Sequence, residues 1–313
     1  MTLKLETIRF DTEMPKIPET LPIVRCVAPD FDARARGVEA LAERLDLGKL
    51  SDVDTEFGRA RASERGAVEV FAASGAIWSE NIQHDQDGKD EFRDWPDLEK
   101  GRDRDGEPVL TLGREMAARA TDLATELIEI GQFDMKHALQ PEVRLTQVAE
   151  ANEKGETLRT GAAEATVVIG YELEGLAVIG AGAKTLVDIV PGRGDLIPTG
   201  AVNVWRTPRG VEKLRIGGRE AALAAGLLED PDLAIAVEKG GSITIQRMRL
   251  GLMAMPAAVH QGILFPALEY EARVDFEDEK QGHYFIGRVA PVASAKAYAE
   301  IGLGSAHFGL GMH

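Results

Sequence analysis

The chain has 313 residues, 44% of them apolar and 28% charged, with a formal net charge of −16. That length holds two ordinary domains or one large one, with a core of Ala, Leu, Val and Ile because aromatics make up only 5%. The acidity argues against general nucleic-acid binding and against docking on anionic membranes, both of which call for clustered Lys and Arg; a cationic or neutral partner is easier to accommodate.

The opening residues, with Pro15 and Pro18, read as an extended arm that carries acids and lacks the apolar core of a secretory signal. No run of about eighteen apolar residues follows, so no membrane span is expected and the protein is read as cytoplasmic. "LPIVRCV" is a strand. Its Cys26 is the chain's one cysteine, which excludes an intrachain disulfide and a Cys-based zinc site, and its apolar setting favours a buried, inert thiol. "PDFDARARGVEALAERLDLG" places Phe31, Val38, Leu41 and Leu45 near helical spacing, with Gly48 as the stop. Strands broken at Gly66 and Gly75 come next, then a long charged loop, "HDQDGKDEFRDWPDLEKGRDRDGEP". The clearest helix is "TLGREMAARATDLATELIEIG", with Thr111 as N-cap and Gly131 as terminator.

Strands return in "PEVRLTQVAEANEKGETLRTGAAEATVVIGYELEG". The stretch "LAVIGAGAKT" looks at first like a phosphate-cradling loop. However, Ala183 stands where Gly should precede Lys184, Gly180 is at the wrong spacing, and "TLVDIV" reads as strand rather than helix. "ATVVIGYELEG" and "AKTLVDIV" are therefore read as two strands with "LAVIGAG" as their connection. "GAVNVWRT" is a strand, Arg219–Leu228 is helical, and "DLAIAVEKGGSITIQRMRLGLMAM" gives two strands around Gly240 and Gly241. The final hairpin turns at the acidic "EDEKQG". The expected fold is α+β, with two related lobes arising by internal duplication, residues 1–140 and 141–313, each an antiparallel sheet packed by one or two helices and the second ending in a Gly-rich tail.

Searches for chemistry are mostly negative. His84, His137, His260, His283, His307 and His313 form no metal-binding pair, and "HDQDGKDE" misplaces Gly88 for a calcium loop, so neither metal nor cofactor is expected. There is no G-x-S-x-G elbow; Ser74 sits among small residues, and Ser305 with His307 falls in the tail. "GRGDL", Gly192 to Leu196, is read as a turn. Two features stand out as candidate ligand-binding positions. Trp205 and Arg206 would point to opposite faces of a strand, one into the core and one outward. Arg247 and Arg249 share a strand face and could meet a peptide's carboxylate, although ordinary surface ion pairs are the favoured reading.

The segment from Tyr171 through Glu174, Gly175, Gly180, Gly182 and Lys184 to Trp205 and Arg206 resembles the pattern of bacterial PepSY-like lobes. Ala290-Pro291-Val292-Ala293 matches the close of that family's final hairpin, and the resemblance covers roughly residues 160–295. It implies a non-catalytic regulator or inhibitor that binds peptides or proteins; most such lobes are exported, whereas this chain shows no export signal. The expectation is thus an accessory protein that takes an extended peptide in a groove or at a sheet edge, with a peptide or protein as partner and homodimerisation compatible. The alternative is an enzyme or maturation factor acting on a ribosomally made peptide, with His260, His283, Glu269 and Glu271 as its candidate groups.

Overall fold

The computed structural model describes residues 3–83, 92–102, 108–276 and 282–301. A 3-10 turn leads into β1 (Ile8–Phe10) and β2 (Thr20–Val27), then α1 (Phe31–Arg44). A meander follows, made of β3 (Ser51–Val53), β4 (Gly58–Ala62), β5 (Gly66–Phe71) and β6 (Ile77–Asn81). The ribbon of β7 (Leu98–Arg102) and β8 (Pro108–Leu112) precedes α2 (Arg114–Ile130). Seven strands come next: β9 (Glu142–Ala151), β10 (Thr157–Ile169), β11 (Glu172–Leu173), β12 (Leu176–Ile179), β13 (Lys184–Pro191), β14 (Leu196–Val204) and β15 (Thr207–Arg215). Helix α3 (Arg219–Leu223) runs into a π-helical turn, Ala224–Leu228, and α4 (Pro231–Glu238) follows. The chain closes with β16 (Ser242–Met253), β17 (Ile263–Asp275), β18 (His283–Pro291) and α5 (Ala295–Glu300).

These elements make an α+β fold around two large sheets. The first has the order β11-β12-β16-β17-β2-β15, with β1 also on β16 and β18 also on β17; the second runs β3-β4-β5-β6-β14-β13-β10-β9. Neither sheet follows the expected division at residue 140. β6 pairs with β14 from Gly200 opposite Glu80 to Asn203 opposite Ile77, and β2 is held between β15 and the start of β17. Long-range pairing of this kind leaves no trace in local periodicity.

Each sheet buries one face under helices. Leu223, Leu227, Leu233 and Ala236 from α3, the π turn and α4 meet Ile243, Ile245, Leu268 and Val274 of the first sheet. On the second, Leu41 of α1, Leu45 just after it, and Ala120, Ala124 and Leu127 of α2 meet Val68, Ile77, Val167 and Val187. Helix α2 presents Met116, Ala120, Ala124, Leu127 and Ile128 at three- and four-residue spacing, which gives one continuous buried stripe. A smaller cluster, including Val24, Tyr171, Trp205 and Leu252, draws on elements of both sheets. None of the described helices is long and apolar enough to cross a membrane.

Four local expectations change. Thr111 does not cap α2; it lies in β8 opposite Glu99, and Gly113 is the N-cap, its amide donating to Asp97 O at 2.7 Å. "DLAIAVE" is helix α4 rather than strand, because Asp230 accepts from the amides of Asp232 (2.8 Å) and Leu233 (3.1 Å) and Pro231 fits the first turn. "LAVI" is strand β12 rather than a plain connection: it leaves β10 and β13, which do pair with each other, and joins β16 of the other sheet in parallel. Within the opening arm, Ile8–Phe10 is a strand parallel to β16. The candidate calcium loop at 84–91, most of the acidic "EDEKQG" turn, and Ser305, His307 and His313 lie outside the described residues.

Candidate functional site

Strands β16, β17 and β18 carry one face that none of the described helices covers. The register places Arg247 opposite Glu271 opposite Gly287, and Arg249 opposite Glu269 opposite Val289. These two cross-strand columns share a face because partners across an antiparallel ladder project the same way. Arg249 hydrogen-bonds Glu269 through Nε, Arg247 Nη1 lies 4.0 Å from Glu271 Oε2, and Arg273 Nη2 is 2.8 Å from Asp275 Oδ1. The sequence correctly puts Arg247 and Arg249 side by side and outward. The structure engages both with carboxylates one strand over, as the ion-pair reading anticipates. A shallow depression of about 570 Å³ follows these columns, lined by Thr12, Arg247, Arg249, Glu269, Glu271 and Gly287.

The depression reaches β18, which among the described residues pairs only with β17. Its nine residues, HYFIGRVAP, contain two exposed aromatics, Tyr284 at 40% and Phe285 at 52% exposure. The one permanent charge on the strand, Arg288, is turned to the helix side, where it meets Asp232 and lies 3.8 Å from Asp230. Among the described residues, the edges at β11, β3, β15 and β9 are protected in the ways natural sheets use. Strand β11 has two residues and β3 three. Strand β15 carries Pro208, a register shift beside it, and the charges of Arg209, Glu212, Lys213 and Arg215. Strand β9 is long, but the β7–β8 ribbon lies against it through the Leu110 amide, which donates to Gln147 Oε1 at 2.8 Å.

Trp205 and Arg206 do not form a ligand surface. Both are 1% exposed, correcting the expectation that one would face outward. They occupy the two-residue link between β14 and β15, where strand alternation does not apply. The Arg206 guanidinium donates from Nη1 to Met255 O (3.1 Å) and Gly182 O (3.4 Å), and from Nη2 to Pro256 O (3.1 Å) and Val259 O (2.6 Å). It ties the 180–183 turn to the 253–261 loop, and burial pushes its pKa below the usual arginine range. The "GAGAKT" turn is shaped by this contact, not by an anion. A Cβ on Gly182 would sit 1.6 Å from Met255 O, and Gly180 has φ +90°.

A second buried polar group was not visible in the sequence. Asn203 Nδ2 donates to Thr185 Oγ1 (2.8 Å) and to Tyr171 Oη (3.2 Å), while its Oδ1 accepts from Arg34 Nη1 (2.8 Å). Burial lowers the Arg34 pKa, opposed by the charges of Tyr171 and Asp134. The alternating pattern of β14 marks position 203 as inward, but only β13 and α1 together make an asparagine acceptable there.

The candidate groups of the enzymatic reading do not converge. His260 precedes β17 and His283 pairs with its last residue, Asp275. At about 3.3 Å per residue the strand's length separates them by roughly 40 Å. Glu269 and Glu271 between them face arginines. Ser74 is fully buried and its Oγ accepts from the Ala76 amide at 3.1 Å, a turn contact. Among the described residues no three His, Cys, Asp or Glu side chains cluster to hold a metal. "GRGDL" forms the expected turn between β13 and β14, with Gly192 N donating to Asp195 O at 2.7 Å.

No protein-family model matches the chain. No curated protein matches it either. Among solved structures it is similar to an uncharacterized protein from Eubacterium rectale ATCC 33656 determined at 1.45 Å, with 9% identity and a TM-score of 0.47, over 90% of this chain and 85% of that one. A likeness at that level carries no functional argument.

Proposed function

We propose that the protein is a non-catalytic accessory or regulatory protein that binds an extended segment of a peptide or protein as an added strand on β18. One observation carries this reading: among the described residues β18 is a nine-residue sheet edge with two exposed aromatics and no outward-directed charge, while the edges at β3, β9, β11 and β15 are short, bulged, charged or covered. Backbone hydrogen bonds along such an edge supply affinity for any extended chain, and alternate side chains supply selectivity. The resemblance to PepSY-like lobes fits the same role, and a single buried thiol suits a reducing compartment such as the cytoplasm. Binding a ribosomally made peptide without changing it is this reading's most specific form; an enzyme or maturation factor acting on such a peptide is the alternative.

The test combines two measurements on the full chain. Native mass spectrometry with the peptide fraction of the source cells shows what is retained and whether its mass changes, and amide hydrogen exchange shows where it sits. A retained peptide of unchanged mass that slows exchange within 283–291 supports the proposal. A peptide returned with altered mass replaces it with the maturation-enzyme reading. Retention without protection of β18 moves the site elsewhere.

A further inference from the structure

We infer that the β18 edge, on the strand-addition reading above, selects a segment carrying a basic side chain, lysine or arginine, which crosses over Gly287 to reach the carboxylates of Glu271 and Glu269. The inference starts from the gap. Gly287 stands in the middle of the edge strand, directly across the ladder from Glu271. Its φ is not in the left-handed region and a Cβ built on it would meet nothing within 4 Å, so neither strain nor crowding explains a glycine there. What the glycine does is leave an open track from the free edge to the second strand.

The charges along that track are ordered. Moving inward from the edge, Glu269 and Glu271 on β17 come first, and Arg247 and Arg249 stand one strand further in. The glutamate side chains are 35% and 37% exposed, so they keep access to solvent on the edge side while hydrogen-bonding or facing the arginines on the other. A strand added beyond β18 would have its backbone about 10 Å from that of β17, two ladder spacings away. A lysine or arginine opposite Gly287 spans that interval together with a glutamate extending the other way. An acidic side chain would meet like charge, and a short one would leave the track empty. The flanking edge positions on the same face, Phe285 and Val289, favour apolar or β-branched neighbours on the added strand. The net charge of −16 adds a general attraction for a cationic segment.

The experiment uses two blocked nonapeptides of alternating Thr and Val that differ only at the central residue, Lys in one and Glu in the other. Binding is read by fluorescence anisotropy, and location by backbone amide shifts of β18. The Lys probe should bind about tenfold more tightly than the Glu probe, the scale expected of a part-exposed ion pair set against like-charge repulsion, with the difference shrinking at high salt. In Glu269→Gln/Glu271→Gln the preference for Lys should be lost or reversed, because Arg247 and Arg249 no longer face carboxylates. Gly287→Val is the second variant: it fills the track on a strand that accepts a β-branched residue, leaves the fold intact, and should remove the preference for Lys. Equal binding of both probes with shifted β18 amides would overturn the basic-residue inference and leave strand addition standing. Absence of β18 amide shifts with either probe would overturn both.

Discussion

Tyr171 and Trp205 lie face to face, with ring centroids 4.0 Å apart and 11° between their planes. The stack joins the segment before β11 to the link between β14 and β15, and the Tyr171 hydroxyl continues into the hydrogen bonds of Thr185 and Asn203. Substituting Tyr171→Phe keeps the stack and deletes the hydroxyl, leaving Asn203 with one acceptor fewer. The expected loss is about 1–2 kcal/mol of stability, measured as a shift in the urea midpoint. No shift would mean that the hydroxyl's contacts contribute nothing net.

Arg206 and the exposed pair Arg247 and Arg249 should separate cleanly. Arg206→Ala leaves four carbonyls without their donor, those of Gly182 and Met255 buried and those of Pro256 and Val259 part-buried, and should cost about 3–5 kcal/mol, a large share of a domain's stability. Arg247→Ala/Arg249→Ala should cost no more than about 1 kcal/mol, because exposed ion pairs stabilise little. The same double variant frees Glu269 and Glu271 and should tighten binding of the Lys probe. Thermal or urea unfolding of the three proteins decides the first part and anisotropy the second.

Two glycines should respond in opposite ways to alanine. Gly182→Ala forces a Cβ against the backbone oxygen of Met255 and should abolish folding or leave a severely destabilised chain. Gly287→Ala adds a Cβ in open space on a strand and should stabilise by about 0.5–1 kcal/mol, through the smaller entropy of the unfolded chain. Soluble yield and urea midpoints report both.

Alkaline pH should unfold the protein. Burial raises the phenols of Tyr171, Tyr270 and Tyr298, and Tyr270 is raised further by donating to Asp230 Oδ2 at 2.5 Å. A folded pKa above the unfolded value near 10 means stability that is complete below about pH 10 and declines above it. These three phenolates should therefore appear, by ultraviolet absorbance, together with the loss of circular dichroism. Their titration in a still-folded protein would contradict the burial argument.

Cys26 should be inert in the folded state. Burial pushes its thiol up to about 11, only partly countered by the nearby Arg206 charge, and its Sγ contacts Gln261 O at 3.5 Å. A thiol reagent near pH 8 should label it at least about a hundredfold more slowly in the folded protein than in urea. Equal rates would show that the 20–27 segment opens readily.

What could be read in advance follows the range of the interactions. The α2 stripe, the β17–β18 hairpin and the shared face of Arg247 and Arg249 depend on residues close in sequence, and periodicity reveals them. Helix α4 carries the signal Asp230-Pro231, yet the β-branched run after it reads as strand until the cap is weighed. The destination of β12, the burial of Arg206 and the edge position of β18 depend on strands far apart in the chain. For Trp205 and Arg206 the two-residue alternation fails because the link between strands turns both side chains inward. Gly287 carries no local signal at all, since its role depends on Glu271 across the ladder.

The placement of β2 also affects synthesis. This strand is made well before its neighbours, β15 and the start of β17, and β1 is likewise made well before β16. On the ribosome, the apolar run "LPIVRCV" therefore emerges long before its pairing partners, and the first sheet cannot close until β17 has emerged. Contacts this distant in sequence slow folding and prolong the exposure of unpaired strands. A nascent chain stalled before residue 263 would hold β2 without the β17 side of its pairing, so the cell's holding chaperones should engage this protein at β2 until β17 has been made.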